Sequence, residues 1–198
     1  MNGGKIAGGN SKLGRVENDY YATNPRDTNN FLDLIDNGGE YDLNNSTILE
    51  PAAGEGHIVN ELAKRYNSKI VATDLIDRGA SNVVGGVDFL NNSFNIPRFD
   101  YIITNPPFIL AKEFIDKSLT ISDNVFMFAK LQFLEGKARK EWFKTLPLKY
   151  VYVYSYRANP MRNGSATDEN GKKYSSTMAF AWYVFDNNYT GEPIIRWI

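Results

Sequence analysis

The chain has 198 residues, 42% hydrophobic and 23% charged, which is the balance of a globular domain long enough to bury a core of its own. No apolar run reaches the length of a membrane span, and the glycine-rich, polar start lacks the apolar centre of a signal peptide. The absence of cysteine excludes disulfides, a thiolate zinc site and a cysteine nucleophile, and the single histidine, His57, excludes a histidine-rich metal site. A reducing, cytoplasmic setting is expected, with no metal.

The net charge of −1 is unevenly spread: the chain is acidic up to Pro107 and basic from Phe108 onward, with a basic surplus between residues 130 and 149. Either that surplus faces a polyanion or it is a solvated helix surface. Residues 1–16 read as a flexible tail and 17–198 as one domain.

In chain order, FLDLIDNG (31–38) has apolar residues at helical spacing and a glycine stop. STILEPA is a short strand ending at Glu50, and GHIVNELAKRY places Ile58, Val59, Leu62, Ala63 and Tyr66 on one helical face. KIVATDL and YIITN are further strands, ILAKEFIDKSL a helix, NVFMFAKLQF strand-like, and GKARKEWFKTL an amphipathic helix. KYVYVYSYR and TMAFAWYVFD close the chain as two β-prone runs joined by residues 158–176. Strands alternating with helices predict a doubly wound, mostly parallel α/β sheet ending in an antiparallel hairpin.

Four segments carry chemistry. In LEPAAGEGH a strand runs into Gly54 and Gly56 and then a helix, bringing bare backbone to a ligand at the sheet's carboxyl edge. Position 59 is Val, so the third glycine of the dinucleotide fingerprint is missing. Glu50, just before the turn, suits a cationic or amino-bearing ligand better than a pyrophosphate.

Asp74 ends the next strand, at the separation from Glu50 that places an acid beside a ribose; its other reading is a cap or turn residue. Asp88-Phe89 could meet an adenine amino group and ring face at a strand end, or be a loop aspartate and a core phenylalanine. Finally, DYIITNPPF sets a buried strand against Asn105, Pro106, Pro107 and Phe108. Neither proline can donate to the ladder, so the strand stops at Asn105 and a stiff elbow holds an amide and an aromatic ring in fixed relation.

Taken in this order, EPAAGEG, Asp74, Asp88-Phe89 and NPPF resemble the S-adenosylmethionine-dependent amino-methyltransferases, particularly the DNA N6-adenine methyltransferases. NDYYATNPRDTNNFLD upstream is similar to their N-terminal Tyr/Thr-Pro segment, although Asn24 interrupts the usual Thr-Pro pair. Motif resemblance spans residues 18–108, and more loosely FLEGKARKEWF and the final strands.

The resemblance implies a seven-stranded class I, Rossmann-like fold with S-adenosylmethionine as cofactor, held by Tyr21, Thr23, Glu50, Pro51, Ala52, Gly54, Gly56, Asp74, Asp88 and Phe89. Asn105 and Pro106 would accept the two N–H bonds of an adenine amine, Pro107 would stiffen them, and Phe108 would stack on an extruded base. Arg157, Arg162 and Lys173 would contact phosphates, unless their segment is a plain hairpin loop. Cytosine C5 methylation is excluded by the missing thiolate, while cytosine N4 methylation follows the same amine logic and stays open, with Asn rather than Ser at position 105 leaning toward adenine by resemblance.

The implied partner is nucleic acid, DNA before RNA, with a protein glutamine amide or a non-catalytic cofactor-binding subunit as alternatives. Only 90 residues follow Phe108, most of them needed to finish the sheet. A separate recognition domain is therefore not expected, and target choice falls to short loops, a partner subunit or a homo-oligomer.

Overall fold

The computed structural model describes residues 20–91, 96–162, 164, 165, 167, 170, 171 and 178–198. The tail expected over residues 1–16 lies outside them. In chain order the elements are β1 (Tyr21–Ala22), α1 (Pro25–Gly38), β2 (Thr47–Glu50), α2 (His57–Arg65), β3 (Lys69–Ala72), β4 (Tyr101–Thr104), α3 (Ala111–Ile121), β5 (Asn124–Lys130), α4 (Lys137–Phe143), β6 (Leu148–Val153), β7 (Met161–Arg162), β8 (Phe180–Asp186) and β9 (Ile194–Trp197). Short 3-10 turns at Phe108–Leu110 and Leu131–Leu134 follow β4 and β5.

Seven strands form one sheet in the order β3-β2-β4-β5-β8-β6-β9. Pairing is parallel from β3 to β5 and again between β6 and β9, and antiparallel where β8 enters between β5 and β6. The doubly wound sheet and its terminal antiparallel pair are therefore as the sequence predicts. Three short strands are not foreseen: β9 widens the sheet, and β1 and β7 pair antiparallel in a two-stranded ribbon.

Each central strand is apolar on both faces because helices cover both. Phe180, Trp182 and Val184 of β8 face Phe31, Leu32 and Ile35 of α1 and Ile58 and Leu62 of α2. Ala181, Tyr183 and Phe185 face Phe114, Ile115 and Ile121 of α3, with Trp142 and Phe143 of α4 beside them. Phe31 stacks on Trp182 at 4.3 Å between ring centroids, near parallel at 8°.

Helix α1 begins at Pro25, six residues before the expected start. Asn24 is its N-cap, accepting from the Arg26 N–H at 3.0 Å, and Pro25 takes the first helical position, where a missing N–H costs nothing. The residue that breaks the Thr-Pro pair is thus the one that starts the helix. Near Asp88 and Phe89 there is no strand, only a single parallel bridge from Thr73 to Val84 before Gly85 and Gly86.

The chain passes from β2 through α2 to β3 on one side of β2, then returns to β4 on the other. Ligands in such sheets bind beyond the carboxyl ends of the two diverging strands. That point lies between Glu50 and Asn105.

Trp182 is fully buried, so Trp182→Ala should cost about 3–5 kcal/mol. Urea unfolding will show a lower midpoint at an unchanged slope.

Candidate active site

A cleft enclosing about 620 Å³, part of it open to solvent, lies at this switch point. It is lined from three directions: Tyr20 to Thr23 from the N-terminal segment, Glu50, Ala52, Ala53 and Asp74 from the strand ends, and Asn105 to Pro107 from the elbow. Tyr21, Thr23, Glu50, Ala52, Asp74, Asn105, Pro106 and Pro107 are thereby brought together. Tyr20, His57, Ile58, Leu75, Ile76 and Arg78 also line it and were not singled out for the site from sequence.

The orientation of Asn105 is fixed by what surrounds its amide. Nδ2 donates to the Tyr21 carbonyl at 2.6 Å and to Thr23 Oγ1 at 3.0 Å. A backbone carbonyl can only accept, so the NH2 must face Tyr21 and the oxygen must face away. Oδ1 is buried and has no protein partner.

Glu50 closes the other side of the cleft, 1% exposed, with Oε2 also unpartnered. Burial holds its carboxyl well above the ordinary carboxylate range; the Asn105 backbone N–H draws it back, and the nearby Asp74 charge raises it further. Glu50 and Asn105 thus each bring a buried side-chain oxygen without a protein partner to the lining of one cleft.

The glycine turn needs both its glycines. Gly54 and Gly56 have φ of +57° and +80°, and a Cβ on Gly54 would collide with the Tyr20 ring. Tyr20 Oη accepts from the Glu55 N–H at 3.2 Å, and burial raises its pKa to about 12. Asp74 braces the same turn: Oδ2 accepts from the Gly54 N–H at 2.7 Å and Oδ1 from the Ile76 N–H at 2.9 Å. It is therefore a turn residue as well as part of the cleft wall. His57, the first residue of α2, has its pKa lowered, chiefly by burial.

The other expected residues stand apart from the cleft. Phe89 is a core side chain, 3% exposed and packed on Phe114 at 5.1 Å. Asp88 is exposed, and its Oδ1 accepts from the Leu90 N–H. Pro51 is buried in the turn before Gly54. Phe108 is half-buried, stacked on Tyr21 at 5.8 Å, tilted against Phe180 at 5.7 Å, with Lys130 Nζ 4.6 Å from its centroid.

Of the segment at 158–176, Arg157 just before it is exposed, and Arg162 pairs through its backbone with Tyr21. The Arg162 side chain and Lys173 lie outside what is described. Gly164 sits directly against the Glu55 side chain, so this segment reaches the glycine turn.

With this geometry the comparisons can be placed. Neither a protein-family model nor a curated protein matches the sequence. Among solved structures, the chain is similar to a Pyrococcus horikoshii protein provisionally described as an RNA methyltransferase, at 18% identity, TM-score 0.64, covering 89% of this chain and 94% of that one. A Listeria monocytogenes protein provisionally described as a class I S-adenosylmethionine-dependent methyltransferase matches at 12% identity and TM-score 0.65, covering 95% and 68%.

The methyltransferase subunit of a type I restriction-modification system from Streptococcus thermophilus matches at 10% identity and TM-score 0.60, covering 89% of this chain but 47% of its own. The fold is that of the class I methyltransferases. Among the described residues no helix is long and apolar enough to cross a membrane, and no group of acidic or histidine side chains could hold a metal ion.

Because folding raises the Glu50 pKa, its stabilising contribution is complete below the ordinary carboxylate range and is lost as pH rises through the raised value. Glu50→Gln should therefore raise Tm at pH 8, by about 2–4 °C for each kcal/mol relieved, and leave it nearly unchanged at pH 4. Calorimetric scans at the two pH values check this.

Proposed function

We propose that this chain is an S-adenosylmethionine-dependent methyltransferase that modifies the N6 amine of adenine in DNA. The observation that carries the reading is the unpartnered Oδ1 of Asn105, a residue lining the cleft, turned away from Tyr21 and Thr23 by the two acceptors on its NH2. The motif resemblance of NPPF and its upstream partners narrows the reaction to an amine and, with Asn at position 105, to adenine.

An exocyclic aromatic amine is a poor nucleophile because its lone pair is delocalised into the ring. Asn105 Oδ1 and the Pro106 carbonyl accept its two N–H bonds, stabilise the positive charge that develops on nitrogen, and direct the lone pair outward. The prolines keep the acceptors in place, so no reorganisation is needed at the moment of reaction. Phe108, backed by Tyr21 and Phe180, offers an aromatic wall to the base.

The cofactor supplies a methyl on a positively charged sulfur. Glu50 and Asp74, which line the cleft, would hold its amino group and its ribose, with Asp74 also bracing the Gly54–Gly56 turn. Exposed Arg157 and the basic residues after Phe108 supply phosphate contacts.

Asn105→Ala should lower methyl transfer by about 100-fold or more while cofactor affinity changes little. Radiolabelled transfer to DNA, RNA and protein offered in parallel measures both rate and acceptor. Wild-type activity in the variant would remove the mechanism, and transfer to RNA or a glutamine side chain alone would keep the chemistry and replace the substrate. Cofactor binding with no transfer to any acceptor would make the chain a non-catalytic subunit.

A further inference from the structure

Among the described residues, Arg78 is the one that lines the cleft with a permanent positive charge. It stands in the loop after β3, four residues past Asp74, with its guanidinium 3.9 Å from the centroid of the Tyr20 ring. Stacking on an aromatic face fixes the plane of a guanidinium and leaves its N–H edge free to recognise an acceptor. Its Nε is buried and has no hydrogen-bond partner. A buried donor without an acceptor is costly, and at a ligand cleft the ligand is what supplies it.

The charges on the cleft wall can be compared with those of the proposed cofactor, so the argument rests on the functional reading above. The wall carries two carboxyl groups, Glu50 and Asp74, and one cation, Arg78, while His57 is held toward its neutral form by burial. S-adenosylmethionine carries two cations, sulfonium and ammonium, and one carboxylate. The ligand's single carboxylate thus has one cationic counterpart among the described residues that line the cleft, Arg78.

Asn105 Oδ1, a carbonyl-type oxygen, has no hydrogen to offer a carboxylate. The free donor of Arg78 does. Tyr20 joins this residue to the rest of the site, because its ring touches Gly54 and its hydroxyl holds the Glu55 N–H. Arg78 is thereby set over the glycine turn and aimed by an aromatic plane, not by a flexible stem alone.

We propose that Arg78 is the residue that recognises the carboxylate of the cofactor's amino-acid end, aimed by Tyr20. No bond is made or broken in this step. The guanidinium N–H groups donate and the carboxylate accepts.

The test is calorimetric titration of wild-type, Arg78→Met and Arg78→Lys protein with S-adenosylhomocysteine and with 5′-methylthioadenosine, which keeps the nucleoside and lacks the amino acid. Arg78→Met should weaken S-adenosylhomocysteine by about 10- to 100-fold, in keeping with a charge-assisted bond in a partly buried site, and leave methylthioadenosine within about 2-fold. Arg78→Lys should recover part of the loss, since it restores charge without the stacked fork.

Equal weakening of both ligands, or of neither, overturns the assignment; melting curves of the variants show that they are folded. If wild-type protein binds neither ligand, the methyltransferase reading itself fails. If it binds both and Arg78→Met changes nothing, that reading stands and only the role of Arg78 is lost.

Discussion

The site depends on one constraint, the inability of a backbone carbonyl to donate a hydrogen bond. Because the Tyr21 carbonyl lies 2.6 Å from Asn105 Nδ2, the side-chain amide has a single orientation, with its oxygen turned away from Tyr21. Thr23 repeats the constraint from a second direction at 3.0 Å. The sheet supplies the position of Asn105, but the N-terminal segment supplies its polarity.

That segment is held in turn by elements far away in the sequence. β1 pairs with β7, which belongs to the long connection between β6 and β8, and Gly164 of the same connection rests on Glu55 of the glycine turn. Asn24 turns the chain from β1 into α1, whose Phe31 stacks on Trp182 in β8. The elbow at Asn105 is thus braced by the first and last thirds of the chain. A connection that looks like a plain hairpin loop in sequence forms part of the wall behind the site.

The charge arrangement has a cost in stability that suits a binding site. Glu50 is buried beside another acid with one oxygen unpartnered, and its carboxyl is held away from its ordinary ionisation by burial. Arg78 keeps a buried N–H without an acceptor on the same cleft. Under the proposed function, orphaned groups on one surface would meet the ammonium and the carboxylate of a single ligand.

Much of this was legible in the sequence, because it follows from local chemistry. Paired prolines end β4 wherever it lies, glycines at 54 and 56 open the turn, and the apolar runs of β5 and β8 announce strands covered on both faces. Asp88-Phe89 shows the limit: the pair fits a ligand edge and a core equally well in sequence, and packing on Phe114 puts the phenylalanine in the core. Arg78 gave no signal, being one cation in a polar loop until Tyr20 lay under it. Local residue order determined the elements and the elbow; which way the Asn105 amide faces, and which charges share its cleft, depended on contacts across 80 residues and more, which only the folded chain makes.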